Sequence, residues 1–521
     1  MCCPDIHRVF ISGVTTSSQE TNSPGAPEHG FSWVIFWTIL GALIPGAGLI
    51  VAGRRWFGAV VLAGTAALVT GLLIVTRVGS PIERIESLAV DQKKLLILAI
   101  VTGVIAAVWL VVIVVTTTQL RRWASLTLIQ NGFNWLVVVV LVVAVGVPAY
   151  EVSDYTLLTR SVVKSPTIFT TDVDNPDPGP DPKEADPWAG KSRENVLLIG
   201  SDAGSDRVGI RPDTMILASI NTKTGNTVLL SLPRNLERAP FPASTPGHKA
   251  WPNGYNCGDE CLLNAIWTWA SGVGSPYYGK YKNPGLRATE DAIQGVTGLK
   301  VDTYVMLNLD GFKDFVDAIG GVTVDIHERL PIGGQGSSPY EPYYHQAPGG
   351  YLEIGNNQHL NGYKALWFAR SRWASDDYHR MQRQRCVIGD VVHQADPVTL
   401  ALAFPKIAKT LKKNLQTGIP AADLNAWVQL SERIKGASVT SLPFTSDVIN
   451  VVHPDIAKIH KLVKKALKAP ATKTAASASP SPTPTSSPTS SSTKHSKAAA
   501  KKHKKKAATD VTKAQDVTKV C

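Results

Sequence analysis

Two aspartates, Asp202 and Asp213, stand about a dozen positions apart, the second within Arg211-Pro212-Asp213-Thr214 after a strand-like run. Far downstream, Arg370, Arg372, Arg380, Arg383 and Arg385 fall within sixteen residues. Carboxylate oxygens are hard donors suited to Mg²⁺, and a metal held there can share phosphate oxygens with planar guanidinium forks. These residues therefore point to chemistry on a polyanion held together with a divalent cation. Everything upstream of residue 152 reads as membrane-embedded, so the polyanion expected is a lipid-linked pyrophosphate.

Each piece alone also has an ordinary reading. An Asp after a strand and before glycines caps a turn, and an arginine-rich helix is commonly a solvated face. Residues 378–394 read as such a helix, with Arg380 and Gln384 on one face four apart. Arg370 and Arg372 read as alternating on an extended segment, both toward one side. Arg383 and Arg385 fall off the Arg380–Gln384 face and read as surface or supporting positions. Asp377 just before the helix reads as its cap, with deprotonation of an acceptor hydroxyl as the other reading.

The elements that would position these groups begin at Arg193. Asn195–Ile199, Thr214–Ile220 and Thr227–Leu232 read as buried strands, the last two joined by a turn at Asn221–Asn226. Thr303–Leu307 and Val322–Ile326 are further strands around a helical stretch Leu309–Ile319, and 454–468 is a helix. Strands alternating with helices over about 280 residues imply an α/β domain at 193–468, a mixed central sheet flanked by helices on both faces.

Upstream, 31–53, 56–76, 95–118 and 134–151 are apolar runs near the ~20 residues that cross a bilayer. Together they predict an α-helical membrane region over 31–151 after a short tail at 1–30. The first run begins late and three more follow it, so no cleavable leader is read. Arg54–Arg55 and Arg121–Arg122 mark two short loops; with both inside, the chain after Tyr150 lies outside. Residues 152–192 form a Pro/Asp-rich spacer, and the Ala/Ser/Pro/Lys mixture of 469–521 reads as disordered.

The formal charge of the 521-residue chain is +12, of which the ten Lys and two Asp of 471–521 supply +8. The folded part is thus only mildly basic, which argues against a nucleic-acid-binding face. The tail is a solvated arm attracted to anionic surfaces. Cysteines occur at 2, 3, 257, 261, 386 and 521. Cys257 and Cys261 lack further ligands for a zinc site, so a local disulfide is expected over a metal pair or free thiols. No His has metal-ligand spacing, and Ser201 and Ser231 lack a nucleophile's context.

The ordered set NVLLIGSD, RPDTMILASIN, TVLLSLPRN, VTGLKVDTYVMLNLDGFKDFVDAIGGVTVDI, HLNGYKALWFARSR and DDYHRMQRQR resembles the LytR-CpsA-Psr family of cell-envelope glycopolymer transferases. The membrane region before it resembles that of actinobacterial members. The resemblance implies Mg²⁺ (or Mn²⁺) at Asp202 and Asp213, and a pyrophosphate held by Arg211, Arg234, Arg370, Arg372, Arg380 and Gln384. It also implies an apolar pocket for a polyprenyl tail. Two positions depart from the family pattern, Pro212 for the usual Ser and Asn235 for the usual Asp after Arg234.

The function so implied is an extracytoplasmic phosphotransferase. It would move a glycopolymer from a polyprenyl-pyrophosphate carrier to a peptidoglycan hydroxyl, with Arg211, Arg234, Arg370, Arg372 and Asp377 as catalytic candidates. Alternatives are a polyprenyl-pyrophosphate hydrolase, a non-catalytic binder of the lipid, or, least expected, a membrane-bound transcription attenuator. No helix-turn-helix or zinc motif supports the last.

Overall fold

In the computed structural model the described residues are 29–77, 92–165, 167–169, 179–181, 184–202, 210–333, 337–338, 341–345, 348–371, 377–394, 407, 414–469 and 514–516. The chain divides into two compact units, residues 1–79 with 99–153, and residues 80–98 with 154–521.

The first unit is helical. Lys93–Trp123 and Leu128–Val162 are long and apolar enough to cross a membrane, while Phe31–Leu43 and Arg55–Gly71 are shorter apolar helices. The run 31–53, expected as one span, is broken: Phe31–Leu43 ends before Pro45, and a second helix begins at Ala47 after Gly46, whose φ is +101°. Pro45 supplies no N–H and Gly46 takes a conformation that L side chains resist, so the helix stops there. Small residues let backbones approach in this unit; a Cβ on Gly48 would stand 2.4 Å from Thr116 Cγ2. Trp56, Leu128 and Ile129 are each at least 86% exposed, the surface expected where lipid replaces water.

The second unit is built on a seven-stranded mixed sheet. From one edge the strands are Leu415–Thr417, Thr303–Asn308, Arg193–Ser201, Pro212–Asn221, Thr227–Leu232, Val439–Pro443 and Gln515–Asp516. Arg193–Ser201 runs parallel to Thr303–Asn308 and antiparallel to Pro212–Asn221. Side chains alternate across a strand, and both faces are covered here, so the strands read as nearly continuous apolar runs. Leu197, Leu217 and Leu230 pack on one face against helices Ala265–Ser271, Pro284–Thr297 and Ile456–Lys468. Val196, Ile216 and Leu229 pack on the other against Trp188, Ala426, Leu430, Ile388 and Val392. This is the mixed sheet with helices on both faces that the pattern predicts.

Helix Asp377–Gln394 lies between two cores. Ile388 and Val392 face the sheet, whereas Cys386 and Val387 join Val316, Val324, Leu330 and Phe368 in a smaller second cluster. Two segments expected to lie outside the domain belong to it. Trp188, from the end of the Pro/Asp-rich spacer, is 1% exposed, and its Nε1 donates to the Ala426 carbonyl at 2.8 Å. Gln515–Asp516, within the tail read as disordered, pairs with Thr440 and Ser441 as an edge strand.

Candidate active site

The antiparallel ladder of Arg193–Ser201 with Pro212–Asn221 shifts register between Gly200 and Ser201. Past this bulge the Asp202 N–H reaches the Arg211 carbonyl at 3.5 Å. Asp202 and Asp213 are thereby carried at the same end of neighbouring strands, as a bulge can re-aim side chains at a strand terminus. Gly200 suits the close approach there, because a Cβ would stand only 3.0 Å from Thr214 Cβ.

Arg234 follows the next strand, in a turn closed by the Leu236 N–H on the Pro233 carbonyl at 3.1 Å. Its Nη1 donates to Asp213 Oδ1 at 2.7 Å, and its Nε lies 3.5 Å from Asp377 Oδ1. Across the site, Arg380 donates through Nη2 to Asp377 Oδ2 at 3.1 Å and to the Asp213 carbonyl at 3.0 Å. Arg380 is only 2% exposed. Asp377 opens the helix Asp377–Gln394 and bridges two arginines, a position neither sequence reading assigned to it.

The sequence expectation for Arg370 needs correction. It is the last residue of helix Gly362–Arg370, not part of an extended segment, and the backbone turns extended only at Ser371. The helix forms because Asn361 Oδ1 caps it by accepting the Lys364 N–H at 3.0 Å. The Arg370 guanidinium lies 5.1 Å over the Trp367 ring. Arg372 lies outside the described residues.

Arg383 and Arg385 are not surface residues; they are 7% and 5% exposed. Arg383 donates to the Phe368 carbonyl at 2.8 Å, to Glu328 Oε1 at 2.5 Å and to the Ser371 carbonyl. It thus clamps the end of the Arg370 helix to the Arg380 helix. Arg385 donates to Ser441 Oγ at 3.1 Å and to the Met381 carbonyl at 3.2 Å. Burial brings its guanidinium down to about 10, since a charge removed from water loses solvation.

A cavity of about 1010 Å³ opens among these elements, lined by Asp202, Arg211, Asp213, Arg234, Arg370, Arg380 and Gln384. Along the first strand its lining passes from Leu198 and Ile199 to Ser201 and Asp202; along the arginine-bearing helix it passes from Val391 and Ile388 to Gln384 and Arg380. Both gradients run the same way, giving apolar walls, with Val305 and Phe315 among them, and a charged end. Thr214 and Asn264 also line it. No motif marks Asn264; it is placed by its N–H on the Arg234 carbonyl at 3.1 Å.

Among the described residues no group of three or more His, Cys, Asp or Glu could hold a metal. Two carboxylates completed by ligand oxygens and water suit Mg²⁺, which seldom takes an all-protein cage. Asp213 fits this role: Oδ1 is engaged by Arg234, while Oδ2 accepts no hydrogen bond among the described residues.

Cys257 and Cys261 are joined, with Cα atoms 5.2 Å apart, and Gly258 turns the loop at φ +93°. The following helix starts at Ala265, after Leu263 and Asn264 have donated their N–H groups to the Leu236 and Arg234 carbonyls. The disulfide loop thus leads directly into the backbone that braces Arg234. Asn235, the departure noted above, does not leave Arg234 unoriented, since Asp213 and Asp377 hold it.

A model of the LytR_cpsA_psr family matches residues 170–469. Biofilm regulatory protein A of Streptococcus mutans is 30% identical over 231 residues, 43% of this chain and 50% of that protein. A polyisoprenyl-teichoic acid–peptidoglycan teichoic acid transferase, TagU of Oceanobacillus iheyensis, is 28% identical over 232 residues, 44% and 60% of the two chains. TagV of Bacillus subtilis, of the same description, is 24% identical over 284 residues, 53% and 63% of the two. The chain therefore spans about half to three fifths of the length of these relatives. Among solved structures, protein gbs0355 of Streptococcus agalactiae aligns at 24% identity and TM-score 0.39 over 55% of this chain and 91% of that one. TagT bound to LI-WTA aligns at 22% identity and TM-score 0.34, over 55% and 92%.

Proposed function

Because the chain belongs to the LytR-CpsA-Psr family, whose model covers more than half of it, we propose that it transfers a glycopolymer from a polyprenyl-pyrophosphate carrier to a hydroxyl of peptidoglycan. The observation that carries this reading is the cavity, in which apolar walls lead to four arginines and two aspartates. A lipid tail and a pyrophosphate are the two halves of one ligand that such a space accommodates. Two relatives are described as polyisoprenyl-teichoic acid–peptidoglycan teichoic acid transferases, names that pair a polyisoprenyl-linked polymer with peptidoglycan.

The polyprenyl chain lies along Leu198, Val305, Phe315, Ile388 and Val391, and the pyrophosphate meets Arg211, Arg234, Arg370 and Arg380. The acceptor hydroxyl attacks the sugar-linked phosphorus. A new P–O bond forms, the bond to the bridging oxygen breaks, that oxygen leaves as part of polyprenyl phosphate, and the hydroxyl proton passes to solvent. Phosphoryl transfer is accelerated mainly by positioning and charge neutralisation. Arg234 and Arg380 are suited to this because Asp377 and Asp213 already fix them. Mg²⁺, or Mn²⁺, held by Asp202 and Asp213 would act as a Lewis acid on phosphate oxygens. Arg372 would add a further guanidinium.

The helices Lys93–Trp123 and Leu128–Val162 would anchor the chain in the membrane, with the α/β unit outside. The Cys257–Cys261 bridge supports that side, where oxidation is permitted.

The deciding experiment incubates the purified chain with a polyprenyl-pyrophosphate oligosaccharide and Mg²⁺, with and without a peptidoglycan acceptor. A phosphodiester-linked product formed only with acceptor supports transfer. Release of polyprenyl phosphate unaffected by acceptor assigns hydrolysis, and no turnover with tight binding assigns a binding protein.

A further inference from the structure

Residues 193–455 carry 25 Lys and Arg against 25 Asp and Glu, so this stretch is formally neutral. The helix that follows, Ile456–Lys468, carries five lysines and no acidic residue. The excess charge of the α/β domain therefore sits on one helix. Lys465 and Lys468 have an ordinary reading, since in the last turn they offset the negative end of the helix. Lys458 has another, because its Nζ donates to the Val448 carbonyl at 2.7 Å. Neither reading covers Lys461 and Lys464.

The helix sorts its residues by face. Asp455 Oδ1 caps it by accepting the Lys458 N–H at 2.9 Å, and Ile459, Val463 and Ala466 are buried in the main core. At about 100° per residue, Lys461, Lys464, Lys465 and Lys468 fall within one ~100° arc on the opposite side. All four are exposed, and none makes an ion pair among the described residues. Lys461 with Lys465, and Lys464 with Lys468, are like charges one turn apart, an arrangement that weakens a helix. An anionic partner removes that repulsion.

Shape and position select the partner. The apolar stripe of this helix is packed into the core, so it cannot enter a bilayer as an interfacial amphipathic helix does. The cavity lies across the sheet: Leu198, Val305, Ile388 and Val392 line it and pack on the face opposite the main core. On the function proposed above, on which this step rests, the bilayer delivers its lipid to that cavity. A linear polymer with regularly spaced phosphodiesters matches a line of four charges about 10 Å long.

We propose that Lys461, Lys464, Lys465 and Lys468 form a docking strip for a polyanionic, phosphodiester-containing glycopolymer, on the face of the domain away from the lipid cavity. The strip supplies affinity and orientation at a distance from the reacting phosphorus and takes no part in the chemical step. Exposed charges act weakly one by one and are screened by salt, so the strip holds a polymer and not a single phosphate.

The test uses the full chain in phosphatidylcholine nanodiscs, with fluorescent poly(glycerol phosphate) as the probe. Changing the four lysines together to Gln, which keeps helix propensity, should weaken probe binding at least about 10-fold at low salt. The log–log slope of affinity against salt should become shallower by roughly three, as expected when four charge contacts are lost. Changing Lys501, Lys502, Lys504 and Lys505 to Gln removes the same charge elsewhere in the chain and should have the smaller effect. In the wild type, amine acylation read by peptide mass should show Lys461 and Lys464 protected by the polymer and not by inorganic phosphate. Equal losses in the two Gln variants, or lysines left unprotected, would overturn the strip. Protection by phosphatidylglycerol nanodiscs without polymer would assign this face to the membrane and overturn it as well. Binding is read without donor lipid or acceptor, so a failed transfer reaction and a failed strip give separate results.

Discussion

Arg234 donates to Asp213 at 2.7 Å, so one expected anion-binding residue is held by one expected metal ligand. The two functions are coupled through a single carboxylate, whereas Asp202 has no such link to Arg234 among the described residues. The variants should therefore differ. Asp202→Asn should remove Mg²⁺ dependence and lower turnover by roughly 10²–10³-fold, the scale of losing one transition-state charge contact. Asp213→Asn should do that and also weaken binding of inorganic pyrophosphate measured without metal. Equal pyrophosphate affinity in the two variants would dissociate Arg234 from Asp213. Neither change should cost much stability, because both groups lie at partly open strand ends.

Arginine planarity is the subject of the second prediction. Arg380 donates to the Asp377 carboxylate and the Asp213 carbonyl with one Nη2, and Arg234 contacts Asp213 and Asp377 through different nitrogens. Lysine keeps the charge but cannot reproduce a rigid fork. Arg234→Lys and Arg380→Lys should each lose at least about 10-fold in kcat/KM, near 1.4 kcal/mol. Arg380→Lys should also lower the melting temperature, because Arg380 is buried. Wild-type kinetics in both would mean that these residues supply only a basic field.

Much of this was legible before the structure, for physical reasons. A strand covered on both faces appears as a nearly continuous apolar run, as Thr227–Leu232 does, whereas Val322–Ile326 alternates buried and half-buried positions; both match their expected bounds. The site residues sit at strand ends and on one helix face, where spacing carries information. Burial of Arg383 and Arg385 was not legible, because a helix lying between two cores shows its polar residues as a solvated helix would. Two of their acceptors, Glu328 and Ser441, lie 55 and 56 residues away in the chain. At Arg370 the alternation with Arg372 suggests a strand, but Asn361 caps a helix and the following Ala-Leu-Trp-Phe-Ala is compatible with one. Pro45–Gly46 was a visible break inside a long apolar run. Gln515–Asp516 offers no pattern at all; two residues pair there because Thr440–Ser441 presents an edge.

Stability should fall as pH rises from about 4 to about 6 because of Asp390, whose carboxyl is pushed up to about 6 by burial and then by neighbouring Asp325. The folded carboxyl binds its proton more tightly than the unfolded one, whose ordinary value is 3.8. Between those values the folded state holds more protons, so raising pH favours unfolding. Above about 6 the loss is complete. Asp390→Asn should flatten this part of the profile and raise the melting temperature at neutral pH. The gain should stay below ~2 kcal/mol, because the group is partly exposed and screened by solvent. Thermal melts from pH 4 to 8 measure it, and an unchanged slope in the variant would reassign the effect to another group.

The cavity makes the most direct prediction about substrate. Val391 and Ile388 line its apolar wall beyond Gln384 on the arginine-bearing helix, so side chains added there should obstruct the lipid and leave the charged end intact. Val391→Trp adds bulk into a space of about 1010 Å³ without altering Asp202, Asp213, Arg234 or Arg380. With a full-length polyprenyl donor, KM should rise about 10-fold or more, consistent with losing burial of a few methylene groups at ~0.8 kcal/mol each. With a donor whose prenyl chain is cut to a few carbons, variant and wild type should converge, since neither uses the far wall. Turnover at saturation should change little, because apolar contacts made equally in ground and transition states affect KM rather than kcat. A fall in kcat with both donors would mean that the substitution displaced the helix, which circular dichroism and pyrophosphate binding would show independently. Unchanged KM for the long donor, in a folded variant, would place the lipid outside this cavity and leave only the pyrophosphate at its charged end.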